Sequence, residues 1–128
     1  MSNAQRLRAR ELGIVVGRLA PGPLNAITDV EGVAVGHRTL RDNAVCTGVT
    51  AVLPHRGNVF QEKVPGAVFV GNGFGKLAGS TQVRELGTIE TPIVLTNTLS
   101  VAAGIEGIVR HVLTWPGNEA VRSVNALV

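Results

Sequence analysis

Four short apolar runs, each bounded by glycine or proline, constrain this fold more than any other feature of the chain. They are Gly32-Val-Ala-Val-Gly36, Gly48-Val-Thr-Ala-Val-Leu53 before Pro54, Gly66-Ala-Val-Phe-Val70 and Pro92-Ile-Val-Leu95. Runs this short, rich in Val and Ile and stopped by breakers, suit strands rather than helices. The intervening stretches 38–47 and 55–63 are polar and read as loops. A different period takes over afterwards. Val101, Ile105, Ile108 and Val112 fall at spacings of four, three and four, which predicts an amphipathic helix. Ser100 or Thr98 would cap its start and Pro116-Gly117 end it. Gly104 and Gly107 each weaken it by about 1 kcal/mol relative to Ala, which makes sense where a helix lies close against a sheet. Ser80–Leu86 reads as a shorter helix with Ser80 or Thr81 as its cap and Gly87 just beyond its end. Val121–Val128 reads as a further strand beginning. Strands and helices in this mixture indicate an α/β class.

Length and charge narrow the function classes. With 128 residues and 45% apolar side chains, one core is expected rather than two. A single Cys excludes a disulfide scaffold or a Cys-rich zinc module. Twelve Lys+Arg face nine Asp+Glu, and Arg6, Arg8 and Arg10 account for the whole excess. Residues 1–10 are therefore read as a basic tail on a neutral body. Nucleic-acid binding needs clustered cations and exposed rings, and the body offers scattered cations, no Tyr, one Trp and three Phe. No apolar run approaches the roughly 20 residues of a membrane span, and no apolar signal stretch follows the arginines. No nucleic acid, no membrane and a cytoplasmic location are the expectations.

Three constellations carry possible chemistry. Gly73-Phe-Gly-Lys-Leu-Ala78 fits G-x-G-x-x-A, with Glu90 at a distance suited to a ribose, but Gly79 interrupts the long helix a dinucleotide site needs. Cys46 could act as a nucleophile with His37 or His55 as base, although a small buried hydrophobe is the better reading. His37, His55 and His111 lack metal-ligand spacing, so no metal site is expected; His111 is expected to face solvent. More suggestive are the polar residues where strands end: Asn72 among glycines, and Thr96, Asn97 and Thr98 after an apolar strand. Strand ends of open α/β sheets hold ligands. Turn chemistry and helix capping explain the same residues equally well.

Several segments, in order, resemble one family. They are Gly22-Pro-Leu-Asn-Ala-Ile-Thr-Asp-Val-Glu-Gly-Val-Ala-Val-Gly-His37, Thr47-Gly-Val-Thr-Ala-Val-Leu-Pro-His55 and Gly71-Asn-Gly-Phe-Gly-Lys76. Gln82-Val-Arg-Glu-Leu-Gly87, Glu90-Thr-Pro-Ile-Val-Leu-Thr-Asn-Thr98 and Ser123-Val-Asn-Ala-Leu-Val128 follow. Together they resemble the N-terminal part of the DmpA-type L-aminopeptidase/D-esterase family, which includes the β-peptidyl aminopeptidases.

The resemblance implies an α/β fold, part of an αββα sandwich similar to N-terminal-nucleophile hydrolases, with residues 11–128 forming the N-terminal portion of one such domain. It implies a precursor that cleaves itself, and a new N-terminal Ser or Thr on a β-subunit as nucleophile. No cofactor is implied. Processing site, nucleophile and oxyanion residues would all lie after Val128, so no catalytic residue transfers to this chain. Asn72, Thr96, Asn97 and Thr98 remain as substrate-binding candidates. The expected partners are the remaining α-subunit, the β-subunit, a small peptide or amide substrate and further copies in a homo-oligomer. A truncated, non-catalytic binding or assembly module is the alternative, and a small dinucleotide-binding protein a third.

Overall fold

The computed structural model describes residues 6–128. Its first regular feature is a single 3-10 turn at Ala9–Leu12, within a largely exposed stretch reaching to residue 33. Of the basic tail, residues 1–5 lie outside the described residues. A second 3-10 turn, Ile27–Asp29, is pinned by the Asp29 carboxylate, which accepts from the Leu24 and Ala26 backbone N–H groups at 2.9 and 3.1 Å.

Strands β1 (Ala34–Asp42) and β2 (Val45–Leu53) then form a long antiparallel hairpin, in register from Ala34 opposite Leu53 to Asp42 opposite Val45. Its two-residue turn starts at Asn43, which takes φ 47°, a left-handed angle that Asn tolerates better than most residues. This corrects the loop expected over 38–47. Apart from the turn at 43–44, these residues are strand, held by backbone pairing at an exposed site rather than by burial.

A two-stranded ribbon pairs β3 (Val64–Pro65) with β4 (Thr88–Ile89). Gly66–Val70, expected as a strand, is not one. The Gly66 N–H still donates to the Gly87 carbonyl at 2.9 Å, but residues 67–70 have no ladder partner among the described residues, and Phe69 is 93% exposed. Apolar, β-branched content does not make a strand without a neighbour to satisfy its backbone.

Helix α1 (Ser80–Leu86) has the expected bounds. Gly87 closes it with φ 65° and an N–H donated to Val83. Its N-cap is Gly79 rather than Ser80 or Thr81. Strand β5 (Ile93–Leu95) adds to β2, giving the order β1-β2-β5 with both pairs antiparallel. Helix α2 (Val101–Leu113) follows the sequence reading closely, with Ile108 and Val112 buried.

The core lies between this sheet, α2 and the segment 124–128. Val94, Ile108, Val112, Ala126 and Val128 are its buried members, with Ile105, Val109 and Trp115 packed on them. The segment read as a further strand makes one parallel bridge, Leu127 with Ile93. Val94 N–H donates to the Leu127 carbonyl at 3.0 Å and Ala78 N–H to the Val128 carbonyl at 2.9 Å. Below the helix a second anchor forms. Asn118, 1% exposed, donates from Nδ2 to the Val112 carbonyl at 2.8 Å and accepts at Oδ1 from Asn58 and Gln61 at 2.9 and 2.8 Å.

In the turn after α2, the Glu119 carboxylate accepts the Gly117 N–H at 3.0 Å. That bond favours the ionised form and holds the carboxyl below its usual range. A depressed native pKa means stabilisation that is fully present above the unfolded value, about 4.3, and lost as pH falls through the lower native one. A carboxyl-detected NMR titration should place the Glu119 midpoint below the ordinary glutamate value of about 4.3; a midpoint at or above that value would contradict this.

Candidate functional site

The pleat sends alternate side chains of the hairpin to one face, and the register aligns them. Arg38 lies opposite Val49, Leu40 opposite Thr47, and Ala51 opposite both Gly36 and Val94. Helix α2 crosses this face without filling it. Between them runs an apolar groove of about 500 Å³, lined by Leu40, Val49, Ala51, Val94 and Ile108, with Arg38, Thr96, Asn97 and His111 also on its walls. That volume lies within the range of small-molecule sites.

Two glycines of α2 set its shape. A side chain at Gly104 would meet Val128 Cγ1 at 2.9 Å and Val94 Cγ1 at 3.5 Å, so glycine there permits contact with the core. One turn on, nothing stands within 4 Å of a Cβ built on Gly107, which leaves the groove open. Gly107→Ala should therefore stabilise α2 by about 1 kcal/mol, whereas Gly104→Ala should destabilise. Urea midpoints of the two variants should move in opposite directions.

Of the four candidate binding residues, the structure brings Thr96 and Asn97 to the groove. Asn97 is heavily engaged. Its Oδ1 accepts the Leu99 and Ser100 N–H groups, both at 3.1 Å, and its Nδ2 donates to Thr47 Oγ1 at 3.3 Å. It organises the start of α2, where Ser100 occupies the N-cap without a side-chain bond. Thr98 is exposed and does not line the groove. Asn72 sits on a separate exposed loop, accepting the Phe74 N–H at 3.0 Å.

The nucleophile pair is not assembled. Cys46 is exposed, correcting the buried reading, because its apolar neighbours lie on an outer hairpin arm and it pairs with Arg41. His37 pairs with Thr50, four residues further along β2, or roughly 13 Å at strand rise; its Nδ1 shares a hydrogen with Thr50 Oγ1 at 2.8 Å. His55 is fully occupied. Its Nδ1 accepts the Gly57 N–H at 3.0 Å, so Nε2 carries the proton and donates to the Glu62 carbonyl at 2.8 Å. His111 is exposed, as expected, edge-on to Trp115 at 5.2 Å between centroids.

The dinucleotide reading also fails. No strand feeds Gly73–Ala78, α1 has seven residues, and Glu90 is buried, bonded to Asn125 N–H at 2.8 Å and to Lys63 at 3.4 Å. Among the described residues no group of three His, Cys, Asp or Glu is placed to hold a metal ion, and no helix is long and apolar enough to cross a membrane. Sequence reading missed Arg38 and Leu40 as groove walls. Only the β2 arm carried a partial signal, with Val45, Val49, Ala51 and Leu53 sharing one parity; on the β1 arm Leu40 stands alone among polar residues.

The arrangement of sheet and helices is shared with solved structures, and it defines the class. It superposes with a TM-score of 0.87 on the PH0078 protein from Pyrococcus horikoshii OT3, at 49% identity over 95% of this chain and 38% of that one. With the L-aminopeptidase D-Ala-esterase/amidase from Ochrobactrum anthropi, described as a variant of the Ntn hydrolase fold, the TM-score is 0.76. Identity there is 30%, over 94% of this chain and 36% of that one. The α/β class and its likeness to N-terminal-nucleophile hydrolases are thereby established. The family model for peptidase family S58 matches residues 25–128, and the chain belongs to that family. It is also 37% identical to the β-peptidyl aminopeptidase BapA of Sphingosinicella microcystinivorans, over 91% of this chain and 32% of that protein. This chain thus spans about a third of the length of these relatives.

Proposed function

We propose that this chain is the N-terminal scaffold of a self-processing serine aminopeptidase of the N-terminal-nucleophile type, which removes N-terminal residues from peptides, amides or esters. The observation that carries this reading is the match to peptidase family S58 along residues 25–128. In it, cleavage of the precursor exposes a Ser or Thr at the start of a β-subunit. Its α-amino group, with an unperturbed pKa near 8, takes the hydroxyl proton as the oxygen attacks the substrate carbonyl. An acyl-enzyme forms, the amine or alcohol departs, and water releases the acyl group. Neither metal nor cofactor enters.

The open apolar surface supports a partner polypeptide. Twenty large apolar side chains among the described residues are exposed, with Leu19, Phe69 and Leu99 at 89%, 93% and 95%, surface whose burial by a partner would be favourable. The remaining α-subunit and the β-subunit would cover it, with Thr96, Asn97, Thr98 and Asn72 flanking the substrate pocket. The working form is a cytoplasmic homo-oligomer. A second reading, a non-catalytic assembly module, is favoured by the absence of a nucleophile–base pair among the described residues. Hydrolysis of aminoacyl-p-nitroanilides separates them. Chelator-insensitive release of p-nitroaniline is expected from the protein purified together with the nucleophile-bearing polypeptide, and none from residues 1–128 alone; no release from a stable oligomer that retains every companion polypeptide would favour the module.

A further inference from the structure

We infer that Asn72 is a site of spontaneous covalent modification, converting through a succinimide to aspartate and isoaspartate. Eight asparagines occur in the chain, and Asn72 alone precedes glycine. The reaction needs the next residue's backbone nitrogen to reach the side-chain carbon, which a Cβ on that residue hinders. At Gly73 there is no Cβ, and nothing lies within 4 Å of where one would stand.

The surroundings favour the same step. Asn72 and Gly73 are exposed, and residues 66–79 contain neither helix nor strand to hold their backbone. The Phe74 N–H donates to Asn72 Oδ1 at 3.0 Å, which draws electron density from the amide carbon and marks it for attack. The Asn72 Nδ2, the leaving group, makes no hydrogen bond among the described residues. Asn58, Asn97 and Asn118 are held by side-chain hydrogen bonds and precede Val59, Thr98 and Glu119.

The step balances. The Gly73 nitrogen forms a bond to Asn72 Cγ, the Cγ–Nδ2 bond breaks, and ammonia leaves with the proton that nitrogen gives up. Water then opens the ring at either carbonyl, leaving a carboxylate. The net change is water in and ammonia out, without oxidant or reductant. The product places a negative charge four residues from the Lys76 ammonium, which donates to the Phe74 carbonyl at 2.6 Å.

Trypsin releases residues 64–76 as one peptide, in which Asn72 is the sole side-chain amide. Purified protein incubated at mildly alkaline pH and then digested should show this peptide one mass unit heavier, resolved by chromatography into two isomers. Peptides carrying Asn58, Asn97 and Asn118 should stay unchanged. Gly73→Ala, which neither a positive φ nor a neighbour opposes, should keep the far-UV circular dichroism and slow the conversion several-fold. Retention of the amide in the folded protein, while a synthetic 64–76 peptide converts beside it, would overturn the inference. Equal rates for the parent and the Gly73→Ala protein would do the same.

Discussion

Asn118→Ala is expected to destabilise the protein by about 2–4 kcal/mol, because one buried amide holds two distant segments together. Asn118 is 1% exposed. Its Nδ2 reaches the Val112 carbonyl at the last turn of α2, while its Oδ1 takes hydrogens from Asn58 and Gln61 some sixty positions earlier. Truncation leaves a polar-lined void and removes the tie between α2 and the 58–61 turn. Asn58 keeps the Pro116 carbonyl at 3.1 Å and Gln61 the Gly117 carbonyl at 3.0 Å, which limits the loss to the lower half of what a fully orphaned pair of donors would cost. Asn118→Asp keeps the acceptor but sets a carboxylate oxygen against the Val112 carbonyl in a buried site, so at neutral pH it should cost at least as much as the Ala variant in a urea titration. An Ala variant within 0.5 kcal/mol of the parent, the usual range for surface changes, would show that the network is dispensable.

Gly79→Ala is expected to cost about 3 kcal/mol or more. The N-cap glycine of α1 has φ 78°, which alone costs an L-residue roughly 1–2 kcal/mol. A Cβ there would also collide with the Ala126 carbonyl oxygen and press on Leu127 Cα at 3.2 Å. Both are backbone atoms of the segment that seals the core, so neither can swing aside. Gly87 supplies the control. It has a similar φ of 65° and nothing within 4 Å, so Gly87→Ala should cost only the conformational part, about 1 kcal/mol. Equal losses for the two variants would mean that the close approach of α1 to residues 126–127 contributes nothing.

Local signals made part of this structure readable in advance. The bounds of α1 and α2 follow from helical periodicity and from glycine or proline beyond the last turn, both properties of neighbouring residues. The family likeness was legible in ordered segments for the same reason. Features set by distant partners were not. Gly79 rather than Ser80 caps α1 because Ala126, far along the chain, leaves no room for a side chain. Asn118 sits in an ordinary turn sequence, and its importance lies in Asn58 and Gln61. The outer hairpin was hidden by its polarity, since its pairing is made by backbone groups that any residue carries. Gly66–Val70 misled in the opposite sense, with strand-like side chains and no partner strand. In the groove, Thr96 and Asn97 were visible as polar residues at a strand end, but only the register of β1 and β2 adds Arg38 and Leu40 beside them.

In the proposed enzyme, this chain works with a nucleophile carried by further polypeptide. Intact-mass analysis of the purified, active protein under denaturing conditions tests that directly, combined with N-terminal sequencing of every species present. A companion polypeptide beginning with Ser or Thr, co-purifying with a species that contains residues 25–128, is the predicted result. A lone species near 13.3 kDa that hydrolyses aminoacyl-p-nitroanilides without any companion would contradict it.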